Sequence, residues 1–253
     1  MVMHIKFWWK TLLYHFLPRG IGYYKKLHNY IDDSYVHDRD KHPVRQKHHV
    51  KSGWKAEENG EFKYRDYQSY EEYRTHQIQK FSEMLKIQGG FSGQEISRYR
   101  LKFYKRFSQL DKYLPKTASI LCAGARQGTE VEVFHDLGFK QAYGIDLNPG
   151  PDNKLVRVGD FMRLENESNS LDLVYSNCLD HAFNLDGFFS EQFRVVKPSG
   201  YVLLDIGLTG GGAFEAVEWD SELPVILKIL QYFKKIIRVE RETAWIWLLL
   251  QKS

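Results

Sequence analysis

After Pro115 the chain changes grammar: short apolar runs alternate with helical stretches, and this restricts the second half to βαβ units around a largely parallel sheet. The runs predict strands at 118–123, 141–147, 155–158, 171–177, 201–206, 235–241 and 244–250, with helices at 128–138, 185–196 and 222–234. Only a few residues separate the last two strands. A parallel pair needs a crossover of about a dozen residues or more, so these two must form an antiparallel hairpin.

The first 115 residues read differently. Ile5, Trp8, Trp9, Leu12, Leu13 and Phe16 fall on one helical stripe over 4–17, and helical periodicity returns at 66–88 and 94–113. Between them, 37–59 dissolves into charge, histidine, Pro43 and Gly53 and is expected to be a loop. Charge divides at the same place. Residues 1–115 hold 22 Lys and Arg against 13 Asp and Glu, whereas 116–253 hold 14 against 19. We therefore expect a basic, helical N-terminal extension or lid (1–115) and a separate α/β domain (116–253).

With 43% hydrophobic residues, disorder throughout is excluded. The longest apolar runs fall short of the roughly 20 residues of a spanning helix, and no cleavage site follows the Lys-interrupted start. Two cysteines, Cys122 and Cys178, give neither a disulfide framework nor a cysteine zinc site. A reducing, cytoplasmic setting is the expectation. His37, His42, His48 and His49 lack zinc-site spacing, so no metal is expected.

The chemistry concentrates in SILCAGARQGTEVEVFHDLG, which reads as strand, small-residue loop and helix. Gly124 and Gly128 bracket the loop, where missing Cβ atoms let backbone N–H groups approach a ligand at the helix N-terminus. Asp146 ends the next strand 22 positions after Gly124, the spacing at which an acid takes a ribose hydroxyl pair. Asp160 and Phe161 close the third strand. A carboxylate beside an aromatic wall suits an adenine.

These blocks, with SLDLVYSNCLDHAF and EQFRVVKPSGYVLLDI, resemble the class I S-adenosylmethionine-dependent methyltransferases, particularly the large methyltransferase-domain group of small-molecule enzymes, over about 116–253. The resemblance implies a Rossmann-like seven-stranded α/β sheet of order 3-2-1-4-5-7-6 with strand 7 antiparallel. It implies S-adenosyl-L-methionine as cofactor. Gly124 and Gly128 would line its methionine part, Asp146 the ribose, and Asp160 with Phe161 the adenine, and Cys122, Ala125, Arg126, Leu147, Ser176 and Asn177 would join them as cofactor-binding residues. Two positions depart from the family pattern: Cys122 stands where an acid is usual, and Arg126 where a glycine is usual. The loop then matches a G-A-R-x-G-x-E variant in which Glu130 supplies the missing acid. LNPGPDNKL is too short for a crossover helix and is expected to be a tight turn. A nicotinamide-binding fold would need G-x-G-x-x-G, but the corresponding positions after Gly124 are Arg126 and Thr129.

Ser176-Asn177-Cys178-Leu179-Asp180-His181 lies at the carboxyl edge of the sheet and lacks the N/D-P-P-Y motif of enzymes that methylate adenine or glutamine nitrogens. An oxygen acceptor is expected, on a small molecule, a glycan or a lipid-linked compound. His181, with an ordinary pKa of about 6.5, is the candidate base, and Asp180 its orienting acid. Asp205 is a second pocket-facing candidate. Tyr70, Tyr73, Gln77 and Lys80 lie on successive turns of a helix resembling the lids of this group, with only weak cofactor contact expected. Arg98, Arg100, Lys102, Lys105 and Arg106 read as an ordinary solvated face that could alternatively meet a phosphate. The 1–17 stripe suits core packing, a dimer interface or docking on an anionic membrane. The competing reading is RNA methylation or binding by the basic segment, although no RNA-binding motif is present. A noncatalytic cofactor-binding domain is the other alternative.

Overall fold

The computed structural model describes residues 19, 21–28, 53–56, 60–88, 93–207, 214–242 and 245–253. The expected helix at 4–17, its membrane-docking role and the four loop histidines lie outside these residues. In chain order the elements are α1 (Ile21–His28), β1 (Trp54–Ala56), β2 (Phe62–Arg65), α2 (Tyr70–Gln88), α3 (Gly93–Phe107), β3 (Ile120–Ala123), α4 (Thr129–Asp136), β4 (Ala142–Asp146), β5 (Val156–Val158), β6 (Leu171–Ser176), α5 (Leu185–Val195), β7 (Val196–Gly207), β8 (Val217–Trp219), α6 (Glu222–Leu230), β9 (Lys235–Glu242) and β10 (Trp245–Gln251).

The main sheet has seven strands in the order β5-β4-β3-β6-β7-β10-β9. Numbered within the sheet, this is the expected 3-2-1-4-5-7-6. β3 pairs in parallel with β4 and β6, and β10 runs antiparallel to both β7 and β9. The segment from Leu147 to Leu155 turns without a helix, as its length requires. β7 begins five residues before the expected Tyr201, because Val196 already pairs with Leu171 and the Pro198-Ser199-Gly200 turn signal is absorbed within the strand.

Period-2 alternation sorts each central strand between two cores. Leu121, Ala123, Leu248 and Leu250 enter one, under α5, α6 and Tyr73 of α2. Ile120, Cys122, Trp247 and Leu249 enter the other, under α1, α3 and α4. Here the helical aromatics stack: Phe103 on Phe107 at 5.5 Å, and Phe107 on Phe134 at 4.0 Å. Each such buried ring contributes about 1.5–3 kcal/mol of apolar transfer. The N-terminal helices therefore complete the two outer layers.

Two expectations are corrected. Within the predicted 37–59 loop, Trp54–Ala56 is a strand, and β1-β2-β8 form a second, antiparallel sheet. Its signal was weak because three- and four-residue strands show almost no periodicity. The cationic face of α3 is also not solvated: Arg100, Lys102 and Arg106 are buried. Arg100 donates to Glu132 at 2.6 and 2.9 Å, and Arg106 Nη1 lies 3.0 Å from Asp205. Arg100 fastens the helix to α4 and Arg106 fastens it to the sheet.

Candidate functional site

β3 ends where the chain must turn sharply past β4. Gly124 (φ +77°) and Gly128 (φ +86°) take left-handed backbone that L side chains avoid, and the N–H groups of Gly124 and Ala125 both donate to Ile145 O at 2.9 Å. Space demands glycine as well. A Cβ on Gly124 would overlap Cys178 Sγ, and one on Gly128 would lie 2.8 Å from Val156 Cγ2. Arg126 also sits at positive φ (+47°).

Asp146 pins this loop: its carboxylate accepts the Arg126 N–H at 2.9 Å and the Asn148 N–H at 2.8 Å. Leu147 follows it, partly exposed. Beside the loop opens a cleft of about 460 Å³, part of it solvent, whose lining includes Tyr99, Phe103, Gly124, Arg126, Glu130 and Asn177. Glu130 is buried, and that burial pushes its carboxyl up to about 8, with Arg126 partly offsetting the shift. A protonated acid on the wall of a polar cleft is suited to receive a cation, which would ionise it.

Asp160 is engaged from the N-terminal side. Its Oδ1 accepts the Met162 N–H at 2.9 Å, and its Oδ2 accepts the Tyr70 hydroxyl of α2 at 2.7 Å. Burial, then the Asp160 charge, push the Tyr70 phenol up, so it remains a donor. Phe161 is buried edge-on against Phe188 at 5.5 Å. Ser176 Oγ lies 3.1 Å from Cys178 Sγ, which in turn lies 3.3 Å from Ala123 O. Cys178 and Cys122 belong to different cores, both with thiols pushed up by burial.

At the β6 loop, His181 is held at both ring nitrogens. Nδ1 lies 2.9 Å from Phe214 O, so it must carry the proton, and Nε2 faces Lys80 Nζ at 2.5 Å. Burial and the Lys80 charge lower the imidazole well below its usual range. Asp180 does not orient the ring: its carboxylate reaches only 4.0 Å from Nε2, while its backbone carbonyl accepts the Ala216 N–H. The orienting group is the Phe214 carbonyl, which also accepts Gln77 Nε2 at 2.8 Å. β8 follows directly, and Arg65 of β2 donates to Glu215 O at 2.9 Å, so the small sheet braces this wall.

Asp205 is not among the residues that line the cleft. Besides Arg106 it meets Tyr175 Oη at 2.9 Å and Lys102 at 3.7 Å, all under α3. Lys80 and Phe214 are the residues that sequence reasoning underweighted. For Lys80 the signal was its place one turn after Gln77 on the buried stripe. For Phe214, a backbone carbonyl leaves none. Among the described residues no three His, Cys, Asp or Glu side chains gather as a metal site, and no helix is long and apolar enough to cross a membrane.

Residues 121–204 match the family model described as a methyltransferase domain. The sterol 24-C-methyltransferase erg6 of Schizosaccharomyces pombe (strain 972 / ATCC 24843) is 38% identical over 81 residues, 29% of this chain. The match spans about a fifth of that relative, 18% of its length. The fold is shared with the Burkholderia thailandensis 1,6-didemethyltoxoflavin-N1-methyltransferase, solved with 1,6-didemethyltoxoflavin and S-adenosylhomocysteine (TM-score 0.58, 16% identity, 76% of this chain and 95% of that one). It is shared also with a protein from Pyrococcus horikoshii OT3 (TM-score 0.55, 19% identity, 68% and 99%).

Proposed function

This chain carries a class I S-adenosylmethionine-dependent methyltransferase domain, and from that premise we propose that it methylates an oxygen of a small-molecule acceptor. The observation that carries the cofactor part of this reading is the Gly124–Gly128 loop tied to Asp146. Two left-handed glycines, whose Cβ atoms would run into Cys178 and Val156, set the tight turn of the loop, and a carboxylate with lone pairs to spare stands beside it. Glu130 supplies a buried acid for the amino acid end, where Cys122 offers none. The residues present fit the cofactor.

When bound, S-adenosylmethionine supplies an electrophilic methyl group on a sulfonium. The chain's own part is positioning. Glu130 holds the methionine end beside the glycine loop, Asp146 and Leu147 the ribose, and Asp160 with Phe161 the adenine. In-line displacement needs orientation before anything else, and a base only where the nucleophile carries a proton. The lack of an N/D-P-P-Y motif in Ser176–His181 and the Lys80–His181 pair beside that loop support an oxygen acceptor. The yeast relative's name points instead to carbon, and its 38% identity makes carbon methylation the second reading.

Titration calorimetry with S-adenosylmethionine and S-adenosylhomocysteine tests the premise. Wild type should bind both, and Asp146→Ala should lose roughly 1.5–3 kcal/mol. A wild-type chain that binds neither overturns the enzyme reading. Carbon-13 methyl transfer to panels of hydroxylated, carboxylated and sterol-like acceptors then separates the atoms: methoxyl and C-methyl carbons resonate far apart.

A further inference from the structure

We propose that Lys80 of α2, rather than His181, takes the proton from the acceptor, and that His181 is the positioning residue that holds the Lys80 amine. This rests on the methyltransferase reading above. The geometry leaves His181 little freedom to act as the base: Nδ1–H is spent on Phe214 O at 2.9 Å, and Nε2, the nitrogen with a lone pair, is covered by Lys80 Nζ at 2.5 Å. The backbone that carries the ring is held by Tyr73, whose hydroxyl donates to His181 O at 3.0 Å. An imidazole so held is a rigid hydrogen-bond acceptor, and Lys80 is the group it aims.

α2 carries Lys80 to this place by contacts on successive turns. Tyr70 is bound to Asp160, Tyr73 to His181 O and Gln77 to Phe214 O, while Asn148, two residues beyond Asp146, donates to Ile78 O at 3.2 Å. The helix thus spans the ends of β4, β5 and β6. Its Lys80 lies among Arg126 of the glycine loop, Cys178, Asp180 and His181 of the β6 loop, and Glu215 before β8. Burial, then the Arg126 charge, lower the Lys80 amine to about 8 against the partial opposition of Asp180 and Glu215. A group with that value is deprotonated in part at neutral pH and regains a proton readily, as a general base must.

The step balances without a further reactant. As the acceptor oxygen forms its bond to the methyl carbon and the carbon–sulfur bond breaks, the O–H proton passes to the neutral Lys80 amine. The sulfur keeps the bonding pair, and the positive charge moves from sulfonium to ammonium. His181 Nε2 accepts one N–H of the amine in both states, which directs the remaining lone pair.

The test needs no acceptor. Lysine ¹³Cε–¹⁵Nζ NMR of the full chain, with Lys80 assigned through Lys80→Met and Lys80→Gln, gives its midpoint free, with S-adenosylmethionine, and with S-adenosylhomocysteine. We expect a midpoint well below an ordinary lysine. It should fall by about one unit more with S-adenosylmethionine than with S-adenosylhomocysteine, because only the former places a fixed positive charge nearby. His181→Phe, which keeps the bulk but not the acceptor, should lower the midpoint further, and His181→Gln, whose amide oxygen can accept, should restore it. Equal midpoints with the two cofactors, or an ordinary lysine midpoint in the wild type, overturn the role of Lys80. A midpoint indifferent to His181→Phe overturns the role of His181. Absence of binding by either cofactor instead overturns the methyltransferase reading on which both rest.

Discussion

Arg106 Nη1 and Asp205 Oδ2 meet at 3.0 Å between α3 and the sheet, with both side chains essentially closed to solvent. Tyr175 donates to the same carboxylate oxygen, and Lys102 Nζ lies 3.7 Å away, over the Trp245 ring. The N-terminal half is joined to the methyltransferase sheet by a desolvated charge cluster as well as by aromatic stacking. Removing Arg106 takes from the buried Asp205 carboxylate its nearest cation, leaving Lys102 at 3.7 Å and the Tyr175 hydroxyl. Arg106→Met should therefore destabilise the protein by about 3–5 kcal/mol in urea unfolding, and Arg106→Met with Asp205→Asn by less than the sum of the singles. An additive double variant would show that the pair is not coupled.

Gly124 is required for two separable reasons, its left-handed backbone and its contact with Cys178. Gly124→Ala should cost about 2–4 kcal/mol, combining roughly 1 kcal/mol of backbone strain with overpacking. Adding Cys178→Ala removes the atom that Cβ meets. The double variant should be more stable than Gly124→Ala alone by at least about 1 kcal/mol. If Cys178→Ala merely adds its own penalty, the close approach is not what demands glycine.

Periodicity made the seven-stranded sheet legible because β3, β4, β6, β7 and β10 are apolar on both faces, a pattern that only a sheet covered on both sides supports. The Gly124–Asp146 spacing was legible for a similar reason: a tight turn and a strand end fix both residues locally. What escaped was long-range. Arg106 and Asp205 are 99 positions apart and Lys80 and His181 are 101, and nothing in either local pattern names its partner. Cations on α3 looked solvated because helical spacing reports a face and not what covers it. The small sheet depends on β8 arriving from about 150 residues downstream to pair with β2, as Tyr64 does with Val217 and Phe62 with Trp219.

The Tyr70 hydroxyl holds the first turn of α2 to Asp160 at 2.7 Å, and Arg163 lies over the Tyr70 ring at 4.0 Å. Tyr70→Phe keeps the ring and removes only the donor to a carboxylate. A loss of about 1–2 kcal/mol is expected. Faster amide exchange should be confined to the start of α2, since Tyr73 and Gln77 keep their own anchors. Exchange unchanged in that turn would make the Tyr70–Asp160 bond irrelevant to seating the helix.

Glu130 gives the protein an opposite pH signature from that of an ordinary ion-paired carboxylate. Its folded value, about 8, lies above the unfolded value of 4.5, so the folded state binds the extra proton between them. Stability from this group is complete below pH 4.5 and disappears as pH rises through 8. The shift corresponds to roughly 4–5 kcal/mol at its upper end. Glu130→Gln, neutral throughout, should flatten the decline measured by chemical unfolding from pH 5 to 8. Cofactor binding should act on the same proton: the methionine ammonium favours the carboxylate, so binding at pH 6.5 should release close to one proton per site. Calorimetry in two buffers of different ionisation enthalpy measures that release directly. It should vanish in Glu130→Gln, and equal wild-type heats in both buffers would remove Glu130 from the cofactor's amino end.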